Sequence, residues 1–270
     1  MIREDQQGAV RAGISLKDIQ STQIRLIEPF SKFYHEQGFI VYKSNWLPQY
    51  RLANGIQILS LEGHSLADWE KIFDKFFERK TYSHQLFTFF RCSQLNGLLN
   101  QAKCAGYREV NVYPLKVCYK NIAVENSLSS EFSMGQVKTE NDWEMYRDFK
   151  READQNAWTA NEGFGMVRHL TEFLDMKRFF ITTKKTQKII SSLGIFKYNG
   201  LARIENVQTH PSFRGRGLAG HLLRFAINYT FSDPMLKGVV LTSANQIAEK
   251  HIYDPLGFIT TGETVELMTY

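Results

Sequence analysis

From about residue 132 onward the apolar positions alternate between two periods, one of about two residues and one of 3.6, and so mark strands and helices in turn. A strand is predicted over 132–138, followed by a helix over 140–154 whose start, Thr139-Glu140-Asn141-Asp142, supplies capping groups, and by a second helix over 163–176. Three runs rich in β-branched and aromatic residues come next: Phe179 to Thr183, Lys188 to Tyr198 and Leu201 to Thr209. Asn199-Gly200 joins the last two. Both residues tolerate positive φ, so the pair predicts a two-residue hairpin and the three runs predict an antiparallel meander. A glycine-rich turn at 214–217 leads into a predicted helix at 218–230, a strand at 238–242, a helix at 245–254 and a closing pair of strands at 257–261 and 264–269. This order is an α/β arrangement around one mixed sheet.

The first half echoes the second. Leu66, Trp69, Ile72, Phe73 and Phe76 stand at helical spacing within 65–79, ahead of a strand at 84–90, a helix at 92–105 and a strand pair at 107–112 and 114–119. Gly106-Tyr107 precedes Tyr119 as Gly257-Phe258 precedes Tyr270, with each glycine thirteen residues before the final tyrosine. Periodicity fades and Ser and Asn gather in 120–135, which places a domain cut there: an N-terminal domain over 1–130 and a second over 131–270.

Composition narrows the class. A chain of 270 residues with 43% hydrophobic and 23% charged side chains can bury a core, and its length suits two ordinary domains. The net charge of +5 is spread along the chain without a basic run, so a nucleic-acid partner is not expected. Cys92, Cys104 and Cys118 form no Cys-x-x-Cys or Cys/His cluster, which argues against a metal site and for a reduced compartment. MIREDQQGAV lacks the apolar core of a signal peptide, and no apolar run has transmembrane length, so a cytoplasmic protein with no membrane partner is expected.

The candidate chemistry lies in Val207-Gln208-Thr209-His210-Pro211-Ser212-Phe213-Arg214-Gly215-Arg216-Gly217-Leu218-Ala219, a strand that passes through a glycine turn into a helix. Glycines let successive N–H groups turn inward, and a helix start adds unpaired donors and partial positive charge, an arrangement suited to a pyrophosphate. The segment resembles motif A of the GNAT superfamily of acyl-CoA-dependent N-acyltransferases, whose Arg/Gln-x-x-Gly-x-Gly/Ala pattern is met by Arg214, Gly217 and Ala219. Asn245 through Tyr253 to Gly257-Phe258 resembles motif B of the same superfamily, except at Pro255, which is expected to end the helix a turn early.

The resemblance implies a fold: a GNAT-like mixed, mostly antiparallel sheet flanked by helices, with a second N-terminal α/β domain of related fold that has lost its cofactor motif. It also implies acetyl-CoA as cosubstrate, no metal, and an amine of a small molecule or peptide as acceptor. Cofactor contacts then fall to Val207, Thr209, Arg214, Gly215, Arg216, Gly217, Leu218, Ala219 and Asn245. The backbone N–H of Val207, at a strand bulge, would polarise the thioester carbonyl, and Tyr253 would protonate the leaving thiolate. Glu205 stands two residues before Val207, so a period of two puts both side chains on one sheet face and makes Glu205 the candidate base. A binding module that senses acyl-CoA without turnover, and an acyltransferase using a longer chain, remain as alternatives, and the oligomeric state is open. His210, His221 and His251 read as surface residues and receive no role. In the first half, Trp46 to Tyr50, Ala53-Asn54 and Phe87 to Phe90 are core positions by spacing, with an acceptor-pocket lining as the other reading. No glycine turn like 214–217 occurs there, so one CoA per chain is expected.

Overall fold

The computed structural model describes residues 13–61, 63–92, 95–107, 109–122, 128–153 and 162–269. The signal-peptide reading of residues 1–10, the middle of the proposed 120–135 linker and Tyr270 lie outside them. In chain order the first elements are α1 (Leu16–Ile27), β1 (Lys32–Glu36), β2 (Phe39–Lys43), β3 (Gly55–Ile58), α2 (Leu66–Phe76), β4 (Gln85–Phe90), α3 (Leu95–Cys104) and β5 (Glu109–Cys118). Then come β6 (Phe132–Gln136), α4 (Glu140–Ala153), α5 (Glu162–Phe173), β7 (Lys177–Thr183), β8 (Ile189–Tyr198), β9 (Leu201–Thr209) and α6 (Leu218–Phe231). The chain ends with β10 (Gly238–Thr242), α7 (Gln246–Ala248) with its continuation, and β11 (Ile259–Thr269).

Two compact units share these elements, and neither is continuous in sequence: described residues 23–115 and 260–269 make one, and 13–22 with 116–259 the other. The chain passes between the units at 22/23, 115/116 and 259/260.

In the first unit the strand order is β1-β2-β3-β4-β11, antiparallel except for β3 beside β4. A parallel pair needs a crossover, and α2 provides it. Ser65 starts α2 with a capping box: its hydroxyl accepts the Asp68 N–H at 3.3 Å, and the Asp68 carboxylate accepts the Ser65 N–H at 3.0 Å. Trp69 and Phe73 on its inner face pack with Ile56, Phe87 and Phe89 in the core, each such side chain contributing about 1.5–3 kcal/mol on burial.

The second unit repeats this plan with one more strand: β6, β7, β8 and β9 form an antiparallel meander, α6 crosses over, and β10 pairs parallel with β9. Asn199 and Gly200, at φ 49° and 73°, close the β8–β9 hairpin as the sequence predicted. Leu218, Leu222, Ala226 and Ile227 of α6 fill one face against Ile181, Leu193, Ile195 and Ile204. On the opposite face α4 sets Trp143, Tyr146 and Phe149 against Phe180 and Ile189.

The internal resemblance extends to the closing turns. Gly106 and Gly257 both take positive φ, at 83° and 78°. In each turn the glycine N–H bonds three residues back and the next N–H five back: Tyr107 to the Ala102 carbonyl at 3.0 Å, Phe258 to the Tyr253 carbonyl at 3.1 Å. This is the Schellman motif, used twice to turn a helix into a strand.

Several sequence expectations are corrected. The strand pairs predicted at 107–112 and 114–119, and at 257–261 and 264–269, are single strands, β5 and β11, because Pro114 and Gly262 are absorbed without a turn. Pro255 does not end the last helix early. After α7 the backbone widens into a π turn over Glu249–Tyr253 and tightens into a 3-10 turn over Asp254–Leu256, where Pro255 occupies an opening position that needs no N–H donor. α1 and β1 to β3 were not predicted at all.

Candidate active site

β9 and β10 pair only at Leu201–Arg203 with Gly238–Val240 among the described residues, although β9 runs on to Thr209 and β10 to Thr242. Beyond Arg203 the β10-facing edge of β9 is therefore open. Here the other edge of β9 is irregular too: Ser192 lies opposite Gln208 and Gly194 opposite Glu205, so Leu193 faces both Asn206 and Val207. This is a β-bulge. Asn206 carries it at φ 54°, a left-handed conformation that Asn adopts more readily than other residues with a Cβ.

The bulge corrects one expectation. An added residue reverses the alternation of faces, so Glu205 and Val207 do not share a face. Val207 packs on the α6 side with the core. Glu205 shares its face with Gln208, whose amide oxygen accepts from Lys150 Nζ at 2.7 Å from α4. Arg203 Nε holds the Glu205 carboxylate at 2.6 Å, while its other nitrogens reach Thr22 Oγ1 at 3.2 Å and Thr242 Oγ1 at 2.8 Å. With its side chain 4% exposed, Arg203 ties the start of the open edge to the end of β10.

After β9, His210 Nδ1 accepts the Ser212 N–H at the start of a 3-10 turn over Pro211–Phe213. The chain then turns through Gly215 and Gly217 at φ 78° and 75°, a conformation that makes glycine the suited residue at both positions. Gly217 is the N-cap of α6, and no side chain caps the helix. Leu218, Ala219 and Gly220 thus present first-turn N–H groups at the positive end of a 14-residue helix. Arg214 Nε donates to the Thr209 carbonyl at 3.3 Å, and the Arg216 guanidinium lies 5.1 Å from the centre of the Phe213 ring, so both cations are held beside the turn. The equivalent helix start in the first unit, that of α2, is filled by its own Ser65 and Asp68, which adds a negative charge where α6 has none.

Asn245 caps α7: its side-chain oxygen accepts the Ile247 and Ala248 N–H groups at 2.9 and 3.1 Å. Tyr253, at the end of the π turn, is 9% exposed and meets Phe258 edge to face. Burial, reinforced by the Glu205 and Glu249 carboxylates, pushes its phenol up to about 12. The group is therefore a proton donor at neutral pH. Lys116 of β5, its side chain 3% exposed, donates to Asp254 Oδ1 at 2.7 Å and lies 3.7 Å from Glu249 Oε2, gripping both ends of the turn that carries Tyr253. Sequence reasoning missed Asn206, Arg203 and Lys116. Only Asn206 left a signal, as a turn-former inside a strand pattern.

Residues 137–258 match the family model for the acetyltransferase (GNAT) family. Solved structures resemble a larger part of the chain. A conserved protein of unknown function from Staphylococcus epidermidis has 14% identity and a TM-score of 0.71, covering 88% of this chain and 94% of its own. A GCN5-related N-acetyltransferase from Kribbella flavida has 14% identity and a TM-score of 0.65, covering 93% of each chain. A tandem GNAT protein from the clavulanic acid biosynthesis pathway has 9% identity and a TM-score of 0.57, covering 94% of each. At these identities the likeness is one of fold. No curated protein sequence matches the chain. Among the described residues no helix is long and apolar enough to cross a membrane, and no group of three or more His, Cys, Asp and Glu side chains is placed to hold a metal ion.

Proposed function

We propose that this protein is an N-acetyltransferase that moves the acetyl group of acetyl-CoA directly to a primary amine of a small molecule or peptide, at the open edge of β9. The observation that carries this reading is the conjunction of three features in one short stretch: the parting of β9 from β10, the bulge at Asn206–Val207, and the uncapped, glycine-led start of α6. The first-turn N–H groups of Leu218 and Ala219, with the turn at Gly215 and Gly217 and the side chains of Arg214 and Arg216, hold the pyrophosphate. Open backbone of β9 from Val207 to Thr209 receives the pantetheine arm, and the Val207 N–H donates to the thioester oxygen as it becomes an oxyanion, an interaction that contributes a few kcal/mol to lowering the barrier. Asn245 keeps the far wall of the cleft in place by capping α7.

Glu205, oriented by Arg203, takes the amine proton directly or through water. The amine nitrogen then forms its bond to the carbonyl carbon, the carbon–sulfur bond breaks, and Tyr253 gives its phenolic proton to the departing thiolate. The products are the amide and free CoA. The N-terminal domain, self-capped at Ser65, binds no CoA. Calorimetric titration tests the cofactor half of this reading: CoA should saturate near one equivalent per chain, and a heat signal absent at millimolar CoA would refute it.

A further inference from the structure

Arg178 of β7 is a buried cation with no anionic partner among the described residues. Its residue exposure is 1%, and among the described residues it forms no ion pair. Its partners are neutral: Nε donates to Thr171 Oγ1 at 2.6 Å, Nη1 to the Tyr146 hydroxyl at 3.2 Å, and the guanidinium lies 5.3 Å from the centre of the Tyr146 ring. Nη2 is buried with no hydrogen-bond partner. An unpaired buried charge is strongly unfavourable. Ser192 Oγ, 1% exposed, is a second buried polar atom with no partner.

Register places both beside the candidate chemistry. Arg178 lies opposite Gly194 on β8, and Gly194 lies opposite Glu205 on β9, so the three form one row across the sheet. Phe180, Ser192 and Gln208 form the next row on the same face. The guanidinium leans along its row toward Glu205: a Cβ added at Gly194 would stand 3.2 Å from Arg178 Nη1 and 2.5 Å from Met176 Sδ. Gly194 thus leaves room over the strand that a flexible methionine now fills and can yield. From Gly194 to Glu205 is one strand spacing, about 5 Å.

We infer that Arg178 is a specificity-determining residue that binds a carboxylate of the acceptor, so the amine acetylated at this site belongs to a small amino acid. This rests on the acyltransfer reading above. Glu205 addresses the amine of such an acceptor, Arg178 Nη2 its carboxylate, and Ser192 Oγ donates a further hydrogen bond to the same group. Glu205 cannot serve as the missing anion, because Arg203 already engages it.

The test uses the full-length protein saturated with CoA, with the L-amino acids and their carboxamides as matched probes. Binding is measured by calorimetry, and acetyl transfer is measured separately. The wild-type protein should bind at least one amino acid about 10- to 100-fold more tightly than its carboxamide, the span expected for a lost charge-assisted hydrogen bond. Arg178→Met should abolish that preference while CoA affinity stays within about threefold of wild type. If Arg178→Met does not fold, Arg178→Lys, which keeps the charge but loses the planar fork, should reduce the preference instead. Equal binding of every acid and its amide by the wild-type protein would overturn the inference, as would a preference that survives in a folded Arg178 variant. Transfer to carboxamides and other neutral amines as fast as to amino acids would overturn it too and leave the acyltransfer reading standing. Absence of transfer to any amine would overturn the acyltransfer reading, and the inference that rests on it, whatever the binding result.

Discussion

Gly217 separates the backbone requirement of the proposed cradle from its electrostatic one. Its φ of 75° disfavours any side chain, but a Cβ added there meets no atom within 4 Å, so a substitution meets backbone strain and no clash. That strain is about 1–2 kcal/mol for an ordinary residue and less for Asn, which visits the left-handed region. Gly217→Asn is therefore the control, and Gly217→Glu adds a carboxylate at the proposed pyrophosphate position. A unit charge about 4 Å from one phosphate charge is repelled by about 1–4 kcal/mol between the dielectric limits of water and a protein surface. The expected loss of CoA affinity is about 10- to 1000-fold relative to Gly217→Asn. Calorimetry measures it, with thermal unfolding of both variants as the folding control, and added salt should narrow the difference. Affinities within about threefold of each other, in two folded variants, would refute the placement of the pyrophosphate at α6.

Three other expectations follow from the same geometry. Tyr253→Phe should lower turnover by about 100-fold or more and leave acetyl-CoA affinity unchanged, because a proton given to the thiolate matters only in the transition state; and since the phenol is pushed up to about 12, the wild-type rate should show no loss of this acid up to pH 10. Glu205→Gln should likewise reduce turnover by about 100-fold with CoA binding intact, and unchanged turnover would remove Glu205 from the role of base. Asn206→Gly should preserve stability and rate, whereas Asn206→Val, which cannot hold φ 54° without strain, should lose about 1–2 kcal/mol of unfolding free energy and slow transfer through a disturbed bulge; equal behaviour of the two would show that the bulge does not depend on this residue.

The regions that were legible in the sequence are those where local chemistry and tertiary structure agree. Asn199-Gly200 specifies its hairpin because two positive φ angles leave few alternatives, and β7 to β9 and α6 follow from plain periodicity. β1 was hidden because its burial does not alternate, all but one of its residues being exposed, and β2 because three consecutive buried positions suit a strand and a buried helix equally. β5 and β11 were each read as a pair of strands, yet they run on through Pro114 and Gly262, as long strands can where a donor or a side chain is not needed. At the site, the glycine turn and the helix start that follows it were readable. The facing of Glu205 was not, because one inserted residue at Asn206 inverts the parity on which that reading depended. Arg203, Arg178 and Lys116 were not readable either: their burial and partners are set by strands far apart in sequence.

The central claim is amine-dependent acyl transfer at the open edge of β9. The direct measurement incubates the purified protein with acetyl-CoA and a library of amines, follows free CoA with a thiol reagent, and identifies the N-acetyl product by mass spectrometry. The account predicts thiol release that requires an amine, matches the amide formed mole for mole, and falls to background in Gly217→Glu. Binding of one CoA per chain with no amine-dependent thiol release across the library would contradict it and leave a sensor of acyl-CoA in its place.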